Sequence, residues 1–190
     1  MDMKKVLYYF ILGAICVSCS STKQTVDSAT AAKIQTLVTS DRWTVESDWA
    51  FPLTTSSINI MYNAGLIPPG STGNRINLIG NTNYFTKVGD SISVYMPFFG
   101  DRQLGGGYNN TSSAITFEGA PKRYEVKRNE KKAVTTIETA FTSKTESYNA
   151  ILRIYDSGIT EIIIYGSHRS SMRYTGRINK LKEQAVTSLQ

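Results

Sequence analysis

The sequence predicts a mainly β domain, an antiparallel meander that curls into a barrel-like sheet, with a short N-terminal helix. Three observations carry this expectation. Short segments that alternate apolar and polar residues recur from Arg42 to Ile178, the period of half-buried strands. Tight-turn signals such as Val88-Gly89-Asp90 and Asp156-Ser157-Gly158 separate them, with glycine free to take positive φ. No alternation of strand with long helix occurs, so a doubly wound α/β fold is not expected. With 190 residues, 41% of them hydrophobic, the chain can bury a core, which excludes a wholly disordered protein.

Along the chain, Ser28 to Ser40 carries Ala31, Ile34, Leu37 and Val38 on one helical face. From Arg42 the period shortens: Trp43, Val45, Ser47 and Trp49 alternate with Thr44, Glu46 and Asp48. That pattern predicts a strand with both tryptophans on its inner face. Residues near 55–64 are ambiguous between strand and helix. Ile58, Met61 and Tyr62 on one face, Thr54 as a cap and Gly65-Leu66 as a glycine C-cap favour a second short helix. Strands are then expected at Ile76–Leu78, Tyr84–Val88, Ser91–Tyr95, Ala114–Glu118, Lys122–Arg128, Ala133–Thr142, Ser147–Tyr155, Ile159–Tyr165 and Ser171–Ile178.

The N-terminus predicts location. Lys4-Lys5 precede the apolar run Val6–Val17. This run is shorter than the roughly 20 residues a spanning helix needs, but suits a secretory signal peptide. Val17-Ser18-Cys19-Ser20 resembles the lipobox of bacterial lipoproteins, with Cys16 where leucine is usual. The expected organisation is a lipoprotein signal peptide at 1–18, a flexible tether at 19–29, one β-rich domain at 30–180 and a tail at 181–190. Cys19 is the expected lipidation site, carrying fatty acids such as palmitate. Several acyl chains on one residue hold a protein firmly to a membrane, whereas one does not. Cys16 leaves with the signal and Cys19 is acylated, so no cysteine remains for an internal disulfide. The absence of an acidic run after Cys19 points toward the periplasmic face of the outer membrane.

A series of motifs then carries a family resemblance. Asp48-Trp49-Ala50-Phe51-Pro52-Leu53 opens it, followed by Asn63-Ala64-Gly65-Leu66-Ile67-Pro68-Pro69-Gly70 and Ile76-Asn77-Leu78-Ile79-Gly80-Asn81. Val88-Gly89-Asp90-Ser91-Ile92, Tyr95-Met96-Pro97-Phe98-Phe99-Gly100, Gly105-Gly106-Gly107-Tyr108, Phe117-Glu118-Gly119 and Tyr174-Thr175-Gly176 complete it. Over roughly residues 40 to 180, in order, this resembles the DUF4251 family of domains of unknown function, found in small Gram-negative envelope lipoproteins. The resemblance implies a class and supplies no mechanism.

Chemistry is sparse. One histidine and two cysteines cannot assemble a His/Cys metal centre within the chain, and neither metal nor cofactor is expected. His168 lies in a turn, without the Gly-x-Ser-x-Gly elbow of a serine hydrolase. Gly105-Gly106-Gly107 lacks the Gly-Lys-Ser/Thr ending of a phosphate cradle. Its aromatic and polar flanks instead suit a ligand pocket or a plain connector. The candidate ligand-binding residues are therefore Phe98, Phe99, Asp101, Arg102, Tyr108 and Asn109.

The basic stretch Lys122–Lys132 divides its charge between two faces and reads as a solvated edge hairpin. Tyr148 and Tyr155 stand an odd number of residues apart, so one should be core and the other exposed. The leading expectation is a non-enzymatic module that binds an envelope protein or glycan, with no nucleic acid, at a membrane reached through Cys19. Two alternatives stand beside it. One is a hydrolase of envelope polymers with two carboxylates drawn from Glu46, Asp48, Asp90, Asp101, Glu118 and Glu125. The other is a structural component of an envelope assembly.

Overall fold

The computed structural model describes residues 26–52, 56–101, 114–143 and 146–181, with the backbone alone at 56 and 57. The expectations on the signal segment, on Cys19 and most of its tether, on Thr54 and on nearly all of the tail lie outside these residues, as do Arg102, Tyr108 and Asn109. Helix α1 (Ser28–Thr39) leads into β1 (Arg42–Pro52), and α2 (Ser56–Asn63) follows. Then come β2 (Ile76–Asn77), β3 (Tyr84–Val88), β4 (Ser91–Met96), β5 (Ile115–Gly119), β6 (Arg123–Asn129), β7 (Val134–Ser143), β8 (Glu146–Tyr155), β9 (Ile159–Gly166) and β10 (Met172–Lys180). The order across the sheet is β5-β4-β3-β1-β10-β9-β8-β7-β6, with β2 paired to β1. Every pairing is antiparallel.

The sheet curls until its two ends approach. Phe117 of β5 stacks on Phe141 of β7 at 4.9 Å, and the Lys87 ammonium of β3 lies 4.8 Å from the Tyr124 ring of β6. Among the described residues the edge strands β5 and β6 are not hydrogen-bonded to each other, so the product is a half-barrel with a seam. Its interior is one apolar cluster that includes Trp43, Val45, Phe85, Val94, Ile137, Phe141, Leu152, Ile162 and Tyr174. The seam has a visible consequence. Val126 pairs with Ile137 in the inward row, yet it is 51% exposed, because no strand among the described residues lies across from it.

Helix α1 covers one end of the half-barrel. Val38 is buried, Ile34 and Leu37 pack on the core, and Ile34 Cδ1 lies 3.2 Å from where a Cβ on Gly158 would stand. Gly158 belongs to the β8–β9 turn, which places the helix over the end where β1 begins and β10 finishes. At the C-terminus of α2, Leu66 N–H donates to the Met61 carbonyl and Gly65 N–H to that of Tyr62. Gly65 is at φ 67°, which completes the glycine cap.

The expected face of Trp49 is corrected. A β-bulge between Ser47 and Trp49 shifts the register of β1 on β10. Trp43, Val45 and Ser47 point inward before it, and Ala50 and Pro52 after it. An extra residue in one strand reverses the alternation, so Trp49 lies on the outer face with the Arg75 guanidinium 4.0 Å over its ring. Gly176 sits opposite the bulge. A Cβ there would overlap the Glu46 carbonyl oxygen and stand 2.5 Å from Ser47 Cα, so only glycine admits this approach.

Candidate functional site

The β4–β5 and β9–β10 connections, the start of β8 and the end of β1 lie at the end of the half-barrel opposite α1. Three of the candidate residues occur there. Phe98 is buried, Phe99 packs against the core from a half-buried position, and Asp101 is half-buried with its carbonyl accepting from Ser170 N–H at 3.1 Å. The Phe98 ring is covered by the Arg169 guanidinium at 4.7 Å. It is therefore part of the packing and does not present a face to a ligand.

Arg169 organises this end. Its Nε donates to Glu146 Oε1 at 2.8 Å and its Nη2 to Oε2 at 2.7 Å, the bidentate geometry guanidinium favours. Both residues are buried. The guanidinium also faces the Tyr148 ring at 5.5 Å, and Tyr148 stacks on Phe141 at 5.3 Å. Burial pushes the Glu146 carboxyl up. Hydrogen bonds from Arg169 and Tyr148, the Arg169 charge and the His168 backbone amide together outweigh it, and hold the carboxyl below the usual range. Gly166 makes room for the pair: a Cβ there would stand 2.6 Å from Glu146 Oε1 and 2.7 Å from Arg169 Cγ. Below it Tyr174, fully buried, donates to the Pro97 carbonyl at 2.7 Å, and burial raises its phenol.

Glu146 and Arg169 were not among the expected site residues, although a signal existed. Glu146 shares its parity with Tyr148, Ala150, Leu152 and Ile154, and a charge in an apolar row requires a buried partner. The tyrosine expectation is met: Tyr148 is 3% exposed and Tyr155 39%.

The open surface is at the seam. A cleft of about 460 Å³ is lined by Tyr84, Ser93, Tyr95, Thr116, Glu118 and Ser143, among others. Tyr84 and Tyr95 are register partners on β3 and β4, both half-buried, with ring centroids 6.0 Å apart and planes at 30°. Glu118 is the single carboxylate among the described lining residues, so the two-carboxylate arrangement of a glycosidase is not assembled there. A second groove, of about 410 Å³, includes Phe51, Asn74, Ile163 and Arg173. Arg173 lies 4.4 Å over the Phe51 ring and occupies its face. Among the described residues no three His, Cys, Asp or Glu side chains converge as a metal site. None of the described helices is long and apolar enough to cross a membrane.

The chain matches the family model described as Domain of unknown function (DUF4251) over residues 25–178. Among solved structures it is similar to a DUF4251 family protein from Bacteroides eggerthii DSM 20697, with a TM-score of 0.56 at 10% identity. That similarity covers 86% of this chain and 96% of the other. It concerns the fold alone. No curated protein matches the sequence. The chain belongs to the DUF4251 family.

Proposed function

We propose that this protein is an exported envelope lipoprotein, acylated at Cys19 and held at the periplasmic face of the outer membrane, that works as a tethered binding module. The observation that carries the reading is the opposition of the two ends of the half-barrel. The N-terminal segment enters through α1, which covers one end. The connections around Phe98 and Arg169, and the outer-face cleft at Tyr84 and Tyr95, lie toward the other. The residues between Cys19 and α1 reach about 30 Å when extended. An anchor at Cys19 thus keeps the domain within reach of the lipid while the end away from α1 stays uncovered by the tether.

Metabolic labelling with an alkyne fatty acid tests the anchor. Label on the native chain, lost in Cys19→Ala together with release from the membrane fraction, is the expected result. A native chain that retains Met1 and carries no fatty acid would overturn the reading.

A further inference from the structure

We infer that the seam cleft is a binding site for a neutral glycan, with Tyr84 and Tyr95 as the stacking platform. Three observations converge on this chemistry. The two rings pair across adjacent strands, with centroids 6.0 Å apart and planes at 30°, and line one cleft. A sugar ring presents an apolar C–H face that packs on aromatic faces, and a rigid strand pair holds those faces ready at little entropic cost.

Around the rings stand groups suited to sugar hydroxyls. Ser93 and Thr116 come from β4 and β5, Glu118 from β5 and Ser143 from the end of β7. Among the described residues, none of the side chains of Tyr84, Tyr95, Ser93, Thr116 and Glu118 makes a hydrogen bond within the protein. By contrast the Tyr174 hydroxyl is committed to Pro97, and the Thr44 and Thr86 hydroxyls to each other at 2.9 Å. Donors and acceptors left open beside an aromatic floor are what a polyhydroxylated ligand needs.

Charge selects within that class. None of the described lining residues is basic, and Glu118 is acidic. The Glu118 charge disfavours phosphates, sulfates and uronates there, and with them the phosphates of single-stranded nucleic acid. The other two described clefts do not compete. In the Phe51 groove an arginine occupies the ring face, and the smaller cleft beside Val88 and Gly119 has no ring among its lining residues. The inference is independent of acylation at Cys19.

The test is titration of the purified full chain, in detergent, with maltotriose and chitotriose as neutral probes and a heparin trisaccharide as the anionic one. We expect saturable binding of at least one neutral probe and none of the anionic one. Tyr84→Ala and Tyr95→Ala should each weaken binding about tenfold, the equivalent of about 1.4 kcal/mol. Tyr84→Phe and Tyr95→Phe, which keep the ring and the packing, should retain most of the affinity. Glu118→Gln should weaken it several-fold. Absence of binding to both neutral probes, preference for heparin, or affinity unchanged in alanine variants of native melting temperature would each overturn the assignment.

Discussion

Each end of the half-barrel carries an arginine held in two-pronged fashion by a carboxylate, in different surroundings. Away from α1, the Arg169 and Glu146 side chains are 4% and 11% exposed and lie among Phe98, Tyr148 and Phe141. At the α1 end, Arg128 Nη1 and Nη2 reach the two oxygens of Asp156 at 2.7 and 2.8 Å. There the arginine is 21% exposed and shares its charge with Glu130, itself 76% exposed. The same chemistry therefore has different consequences. Water can replace a lost partner at Arg128, but aromatic rings exclude it from Arg169, where a missing carboxylate leaves a charge stranded.

The largest effect is expected from Glu146→Ala, which should cost about 3–5 kcal/mol in denaturant unfolding. A loss no larger than that of Asp156→Ala would erase the distinction between the ends. Acid sharpens it. The Glu146 carboxyl is held below its ordinary range, so its contribution is complete above the unfolded value of about 4.3 and falls away as pH drops through the lower folded value. Melting temperature followed from pH 7 downward should therefore decline less in Glu146→Gln than in the native chain. An equal decline would show that other carboxylates govern acid sensitivity.

Asp156→Ala should cost about 1–2 kcal/mol, because it leaves an arginine that is 21% exposed and still paired with Glu130. Tyr174→Phe removes one buried hydrogen bond to Pro97 and should cost about 1 kcal/mol, read as a shift in the urea midpoint at constant slope. The smallest effect lies beside Asp156, whose amide donates to the Ala133 carbonyl. Ala133 is at φ 50°, a conformation that favours glycine. Ala133→Gly should raise the melting temperature by an amount equivalent to less than about 1 kcal/mol. A fall would mean that the flexibility added to the unfolded chain outweighs the strain relieved.

Much of this was legible along the chain. The strand from Tyr148 to Tyr155 announced its two faces, Gly89 and Gly158 marked the hairpins, and Gly65 marked the end of α2. These signals are local: a period of two or a positive φ needs no distant partner. Trp49 shows where locality ends. The bulge that turns it outward forms against Gly176, and nothing between Arg42 and Pro52 announces the extra residue. The candidate site was only partly legible for the same reason. Phe98 is an expected ligand-binding residue that turns out to be packed, because the arginine that covers its ring comes from the distant β9–β10 connection.

By itself the sequence determined most of the strands, their hairpin turns and the helix that opens the domain, because periodicity, turn residues and segment length act over a few neighbouring residues. Tertiary structure alone decided which way Trp49 faces, that Glu146 meets Arg169, and that the curl stops short of closure, with a cleft running from Tyr84 and Tyr95 on the outer face to Ser143 across the seam. Each depends on how far a ten-stranded sheet curls, a sum of small twists and one bulge that places residues far apart in the chain within ångströms of each other.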